Sequence, residues 1–368
     1  MKKIGVISYN IHANFTNYGS ALQSWALNKS ISKLGYYPVL VDYCPECLKN
    51  LNILNPFNNM WDKDEKSKKD CEMSLVSIKE NYYKFDNFYS TKFNRSKYYD
   101  KNNFNEIMNE VDSFVCGSDT IFSPDEFKLD DGYYANYKCM KNNSIAYAAS
   151  FGDPHFTDEQ LTDFDNKIKN FNALGIRENL MIPYIIKKTN VPVKKVLDPT
   201  LLLDINEYEE IIQKERIIQE NYLLYYSRRY NPIMEKYAEK KAKELNLKVV
   251  DISLQASNIE KGHIMKYDAG VEEFLSLIKN ASFVVTNSFH GMIFSVQFRK
   301  EFVVFSRALC DTKIIELLDI FGLGDRLFVT GLEEYSDINY DVVHDRIKEE
   351  RTKSINFLKK ALENMCGD

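Results

Sequence analysis

Residues 279–307 read KNASFVVTNSFHGMIFSVQFRKEFVVFSR. Phe283, Val284 and Val285 form a short apolar, β-branched run, and Thr286-Asn287-Ser288 supplies the chemistry of a turn and a helix N-cap. Residues 291–298 then carry a helical pattern, and 302–305 the next buried strand. His290 falls at the strand-to-helix turn, on the carboxyl side of a strand, where open α/β sheets hold their ligands. Free N–H groups and the helix dipole attract an anion at such a place. A histidine, two hydroxyls and an amide in one turn can make an acid/base site with an anion cradle. The same residues also fit a capped helix whose histidine is incidental.

Working outward, the same alternation continues upstream: strand 222–226, helix 232–245, strand 248–252 and helix 271–279. A separate series opens the chain. Strand 4–9, polar loop 10–17, a helix capped by Ser20 and ending near Leu34-Gly35, and strand 38–42 make a βαβ unit. Strands at 113–116, 144–149, 171–176 and 193–197 follow, with helices from Thr157 and over 179–188. A Lys- and Glu-rich helix ending near Gln219 separates the two series. The expected fold is α/β, with two Rossmann-like doubly wound domains, residues 1–219 and 220–368, facing each other across a cleft. The charged amphipathic helix at 341–365 is expected to pack back on the first domain.

Composition removes several function classes. With 368 residues, 44% of them hydrophobic, and a net charge of −5, the chain can fold more than one core and has no overall basic character for nucleic acid. Met1-Lys2-Lys3 is followed by only six weakly apolar residues before Asn10, too few for a secretory signal. No run approaches the roughly 20 apolar residues of a membrane span, so at most peripheral membrane contact is expected. Seven scattered cysteines fit a reduced, cytoplasmic protein. Cys44-Pro45-Glu46-Cys47 would need a second pair or nearby histidines to hold zinc, and only His12 is near, so no metal is expected. Loop 10–17 lacks GxGxxG, against a dinucleotide fingerprint.

Two stretches stay open to more than one reading. Residues 44–75 read as an irregular surface insertion. In 82–99, aromatics and cations interleave, either to stack on sugars or headgroups or, as expected here, to place an aromatic stripe on the core. Arg177, at a strand end, could grip a carboxylate or phosphate bidentately, or pair with its neighbour Glu178 at the surface.

Eight motifs then fall in a telling order. They are Asn17-Tyr18-Gly19-Ser20-Ala21-Leu22-Gln23, Gly117-Ser118-Asp119, Ala146-Tyr147-Ala148-Ala149-Ser150-Phe151-Gly152 and Ile176-Arg177-Glu178. Leu197-Asp198-Pro199-Thr200, Thr286-Asn287-Ser288-Phe289-His290-Gly291, Asp311-Thr312-Lys313-Ile314 and Gly324-Asp325-Arg326 complete them. Each is weak alone. Together, over nearly the whole chain, they resemble the polysaccharide pyruvyl transferase family. The resemblance implies a fold similar to GT-B glycosyltransferases, phosphoenolpyruvate as donor, and a sugar diol on a free or lipid-linked glycan as acceptor. Products would be a pyruvate ketal and phosphate, with no cofactor; the protein is expected in the cytoplasm, either free or at the inner face of the membrane.

By that match His290 is catalytic, and Arg177, Lys313, Ser288, Asn287 and Gly291 hold the donor. The acceptor is expected against loop 10–18, at Asn17, Tyr18, Ser118 and Asp119. Many members have Arg where Ser288 stands, which would leave the donor carboxylate to Arg177 and Lys313, and Gln and Trp often follow where Thr120 and Phe122 stand. The alternatives are a sugar-nucleotide glycosyltransferase of the same architecture and a non-catalytic glycan-binding relative.

Overall fold

Residues 1–54, 64–308, 310–331 and 335–367 are described by a computed structural model of the chain; residues 55–63 of the expected insertion lie outside them. Apolar runs such as Ile4-Gly5-Val6-Ile7 and Phe283-Val284-Val285 are too apolar for a half-exposed strand, and they form parallel strands covered on both faces. The first sheet contains β1 (Lys3–Ile7), β2 (Tyr37–Tyr43), β3 (Arg95–Tyr99), β4 (Ser113–Cys116), β5 (Ser144–Ala149), β6 (Ala173–Ile176) and β7 (Val193–Lys195). The second contains β8 (Tyr222–Tyr226), β9 (Lys248–Ile252), β10 (Ile264–Met265), β11 (Phe283–Thr286) and β12 (Glu301–Val304). Around them pack α1 (Tyr18–Lys33), α2 (Glu65–Met73), α3 (Leu75–Lys92), α4 (Pro124–Phe127), α5 (Asp158–Lys167) and α6 (Ile182–Ile186). The series ends with α7 (Pro232–Glu244), α8 (Val271–Asn280), α9 (Phe289–Gln297), α10 (Asp311–Phe321) and α11 (Tyr340–Cys366).

The strand orders are β3-β2-β1-β4-β5-β6-β7 and β10-β9-β8-β11-β12. Each order reverses once, between β1 and β4 and between β8 and β11. Loops leaving the carboxyl ends on either side of such a reversal diverge and open a crevice. Register keeps those ends level. Ile7 pairs with Cys116, and Thr286 with both Tyr226 and Val304. The loops after β8, β11 and β12 therefore leave the second sheet at one edge.

The two sheets are not separate bodies joined by a string. Tyr18, Leu22 and Trp25 of α1 and Phe85, Phe88 and Tyr89 of α3 share one apolar cluster with Phe274 of α8 and with Phe289, Met292 and Ile293 of α9. The Tyr18 ring stacks on Phe274 with centroids 4.2 Å apart. Within the aromatic–cationic stretch, Phe85, Phe88, Tyr89 and Tyr99 are core, while Tyr83 and Tyr98 are exposed. Helix α11 begins against the second domain through Val343 and Ile347 and ends in the first, where Leu358, Ala361 and Leu362 meet Ile4, Val6 and Ile145.

The helix expected to end near Gln219 is absent. A 3-10 turn, Ile205–Glu210, stands there, and the segment beyond it is irregular. Ile211, Ile212 and Ile218 are buried in the interdomain cluster, so their anchoring overrides the helical propensity of the charged residues between them. Helix α6 is likewise shorter than 179–188, starting only at Ile182 with Pro183 in its first turn. No described helix is long and apolar enough to cross a membrane.

Candidate active site

The crevices of the two sheets face each other. Loops after β1 and β4 on one side and after β8, β11 and β12 on the other enclose a cleft of about 250 Å³. Ser288 caps α9, its hydroxyl accepting from the Gly291 amide at 3.2 Å, while its own amide donates to Thr286 Oγ1 at 3.0 Å. This fixes His290 in the first turn, 7% exposed and lining the cleft. Its Nε2 lies 3.4 Å from Asp198 Oδ2, longer than a well-formed hydrogen bond. Asp198 is fixed in turn, Oδ1 accepting from the Thr200 amide and hydroxyl at 2.9 and 2.6 Å, and Oδ2 lying 2.9 Å from Arg177 Nη2. Burial would push the Asp198 carboxyl up, but the Arg177 guanidinium and His290 outweigh it and hold it well below the usual carboxylate range.

The other side of the imidazole meets α1. Asn17 caps that helix by accepting from the amides of Gly19 and Ser20. A Cβ on Gly19 would stand 2.0 Å from His290 Nδ1, so only glycine lets the helix come this close. Two helix N-termini thus converge on one histidine, and both favour negative charge beside it. Lys313, in the first turn of α10, is 7% exposed and lies over the Phe289 ring at 5.6 Å, with Arg177 over the same ring at 5.3 Å. Among the described residues Lys313 has no carboxylate partner.

A sequence model of the polysaccharide pyruvyl transferase family matches residues 17–308, a span holding Gly19, Arg177, Asp198 and His290. The chain belongs to that family. Among curated proteins none matches. Among solved structures, a putative UDP-N-acetylglucosamine 2-epimerase from Listeria monocytogenes is similar at 11% identity and a TM-score of 0.51, covering 98% of this chain and 91% of its own. A UDP-N-acetylglucosamine 2-epimerase from Rickettsia bellii is similar at 10% identity and a TM-score of 0.50, with 99% and 98% covered. At such identities the likeness is one of fold, two Rossmann-like domains facing across a cleft.

In this member of the pyruvyl transferase family, His290, Arg177 and Lys313 do come together, around Phe289. Arg177 is not a free cation, although its Nε and Nη1 are buried without a hydrogen-bond partner among the described residues. It is buried in its ion pair with Asp198, and a further N–H reaches Ser118 Oγ. Nor does it pair with Glu178, which is buried and accepts from the Ser150 hydroxyl and the Phe151 amide. Ser118 and Tyr18, expected at the acceptor, have no place there. The Ser118 hydroxyl donates to Ala148 O at 2.9 Å and its amide to Gln23 Oε1 at 3.0 Å, and the Tyr18 hydroxyl donates to Ala269 O at 2.6 Å. A buried hydroxyl must find an internal partner, and both have. Asn287 and Gly291 also act within the protein. The Asn287 side chain accepts from the Arg228 amide and donates to Arg229 O, and the Gly291 amide is spent on the cap.

Asn17 and Asp119 do line the cleft. Asp119 sits at φ +71°, a region that Asp tolerates better than most residues, with Oδ2 accepting from the Ser20 hydroxyl at 2.6 Å. Burial opposes its charge, but Arg177, Lys313 and His290 keep its carboxyl below the usual range. Four further groups escaped the sequence reading: Asp198, Arg228, Arg307 and Glu126. Asp198 stood in a quoted motif without a role. The arginines carried a usable signal, since Arg228 and Arg307 follow β8 and β12 within three residues. Burial pushes the Glu126 carboxyl up, although it accepts from the Thr120 hydroxyl at 3.0 Å. Among the described residues no His, Cys, Asp and Glu group could hold a metal ion, and Cys44 and Cys47 are free thiols. His12 instead contacts Asp42 at 2.5 Å.

Proposed function

We propose that this chain transfers the pyruvyl group of phosphoenolpyruvate to two hydroxyls of one sugar in a free or lipid-linked glycan, giving a cyclic ketal and inorganic phosphate. The observation that carries the reading is a buried histidine, backed by an ionised aspartate, opening on a cleft beside a lysine that has no carboxylate at ion-pair distance among the described residues. The chemistry needs these parts. A proton delivered to the methylene carbon of the enol phosphate makes that group a methyl and leaves the adjacent carbon cationic. One sugar hydroxyl adds there. The phosphate then departs with its bonding electrons, and the second hydroxyl closes the ring. Two hydroxyl protons are released, one balancing the new C–H bond and the other leaving with phosphate.

His290 delivers the first proton, and Asp198 stabilises its charged form and orients the ring. Approach of the donor would draw the 3.4 Å contact tighter. Lys313 neutralises the departing phosphate. Arg177, already neutralised, acts through Asp198 by holding it in place. Asn17 and Asp119 offer the acceptor its polar contacts. The scheme requires no metal or organic cofactor. The test is mass spectrometry of candidate glycans incubated with protein and phosphoenolpyruvate, with phosphate release followed in parallel. A pyruvylidene mass gain matched by one phosphate per glycan is expected. Tight binding of nucleotide sugars with no turnover of phosphoenolpyruvate would overturn the reading.

A further inference from the structure

Among the described residues, the two buried arginines are each neutralised by a carboxylate. Arg177 lies 2.9 Å from Asp198, and Arg326 2.9 Å from Glu301. Arg307 departs from this pattern. It lines the cleft with Lys313 and has no carboxylate on its guanidinium among the described residues. One N–H goes to Cys310 Sγ at 2.8 Å, and Nε is buried without a partner. Asp311 fixes the loop below, Oδ1 accepting from the Arg307 amide at 2.7 Å and Oδ2 from the Ser306 hydroxyl at 2.6 Å. That carboxylate belongs to the first turn of α10, the turn that also carries Lys313. A guanidinium fork and an ammonium are therefore pinned to one turn, facing one cleft, with donors unused. Leaving such donors unsatisfied is costly, and an anion arriving later repays it.

We propose that Arg307 and Lys313 together form the phosphate subsite of the cleft, and that Cys310 is the positioning residue that aims the Arg307 fork. The fork matches two phosphate oxygens, and the lysine supplies a point charge to the third. Burial would push the Cys310 thiol up, but Arg307 and Lys313 draw it below its ordinary value, so the charged sulfur is favoured beside the guanidinium that donates to it. This rests on the pyruvyl-transfer reading for the identity of the dianion, the phosphoryl group of phosphoenolpyruvate.

Calorimetric titration with inorganic phosphate and with phosphoenolpyruvate tests it. Both should bind the wild-type protein in competition, and Arg307→Met should weaken both by about tenfold or more. Arg307→Lys, which keeps the charge, folds without the fork and should fall between. Cys310→Ala should raise the donor KM at nearly unchanged kcat and melting temperature, which a mere packing role would not do. Wild-type phosphate affinity in both Arg307 variants, or a Cys310→Ala protein that melts earlier with an unmoved KM, would overturn the proposal. Arg307-dependent phosphate binding without any ketal product would sink the pyruvyl-transfer reading and leave this one standing. Ketal formation with a wild-type donor KM in Arg307→Met means the reverse.

Discussion

Asp198 faces both Arg177 and His290, and the predictions at residue scale separate the two contacts. His290→Gln keeps a polar group of similar size but removes the titrating proton. It should lower kcat by roughly 10²-fold or more, with donor affinity and melting temperature largely kept. Asp198→Asn keeps the shape but leaves Arg177 buried beside a neutral partner. Breaking a buried pair in this way costs about 3–5 kcal/mol, so this variant should lose stability as well as turnover, seen as an early melting transition. A second prediction concerns Gly19. Its missing Cβ is the space that His290 Nδ1 occupies, so Gly19→Ala must displace either the imidazole or the start of α1. A fall in kcat of at least about tenfold is expected, with donor KM little changed; an alanine variant of wild-type rate would refute the contact.

At the scale of elements, β3 shows why neighbouring aromatics need separate treatment. Tyr98 is 43% exposed, whereas Tyr99 is fully buried with its hydroxyl on Glu110. Tyr99→Ala should destabilise by about 3–5 kcal/mol in denaturant unfolding, and Tyr98→Ala should stay near wild type. Only the latter can report on acceptor binding, through KM. The loop after β1 carries a pH signature. Burial disfavours a charged His12, but Asp42 and Cys44 lift its pKa to about 9. A pKa raised on folding adds stability that is complete below about 6.5 and is lost as pH rises through about 9. The melting gap between wild type and His12→Gln should therefore be widest in mild acid, worth roughly 1–2 kcal/mol, and close above pH 9; a gap independent of pH would point to packing instead. The strands themselves were legible in sequence because apolar runs such as Phe283-Val284-Val285 admit few other readings, and so was the turn bearing His290. The segment before Gln219 was not, because its isoleucines answer to a core assembled by distant helices. Asp198 was hidden for a related reason, since its role depends on Arg177 and His290, which strand order alone brings beside it, whereas Arg228 and Arg307 could be read from their places just past β8 and β12.

For the whole molecule, the functional scheme involves no metal, and no described cluster is placed to hold one. Turnover should survive exhaustive treatment with EDTA; activity lost there and restored by one divalent ion would contradict the scheme. The cleft lies between two sheets, yet the helices lining its base belong to one shared core. Tyr18 of the first domain is stacked on Phe274 of the second, and α11 is rooted in both. Parting the two domains would expose that aromatic seam to water, which opposes wide opening of the cleft. With that seam closed, the way in lies past the rim, the loops bearing Phe15, Arg228 and Arg307, while the histidine at the floor keeps its bearings between two helix ends rooted in the core.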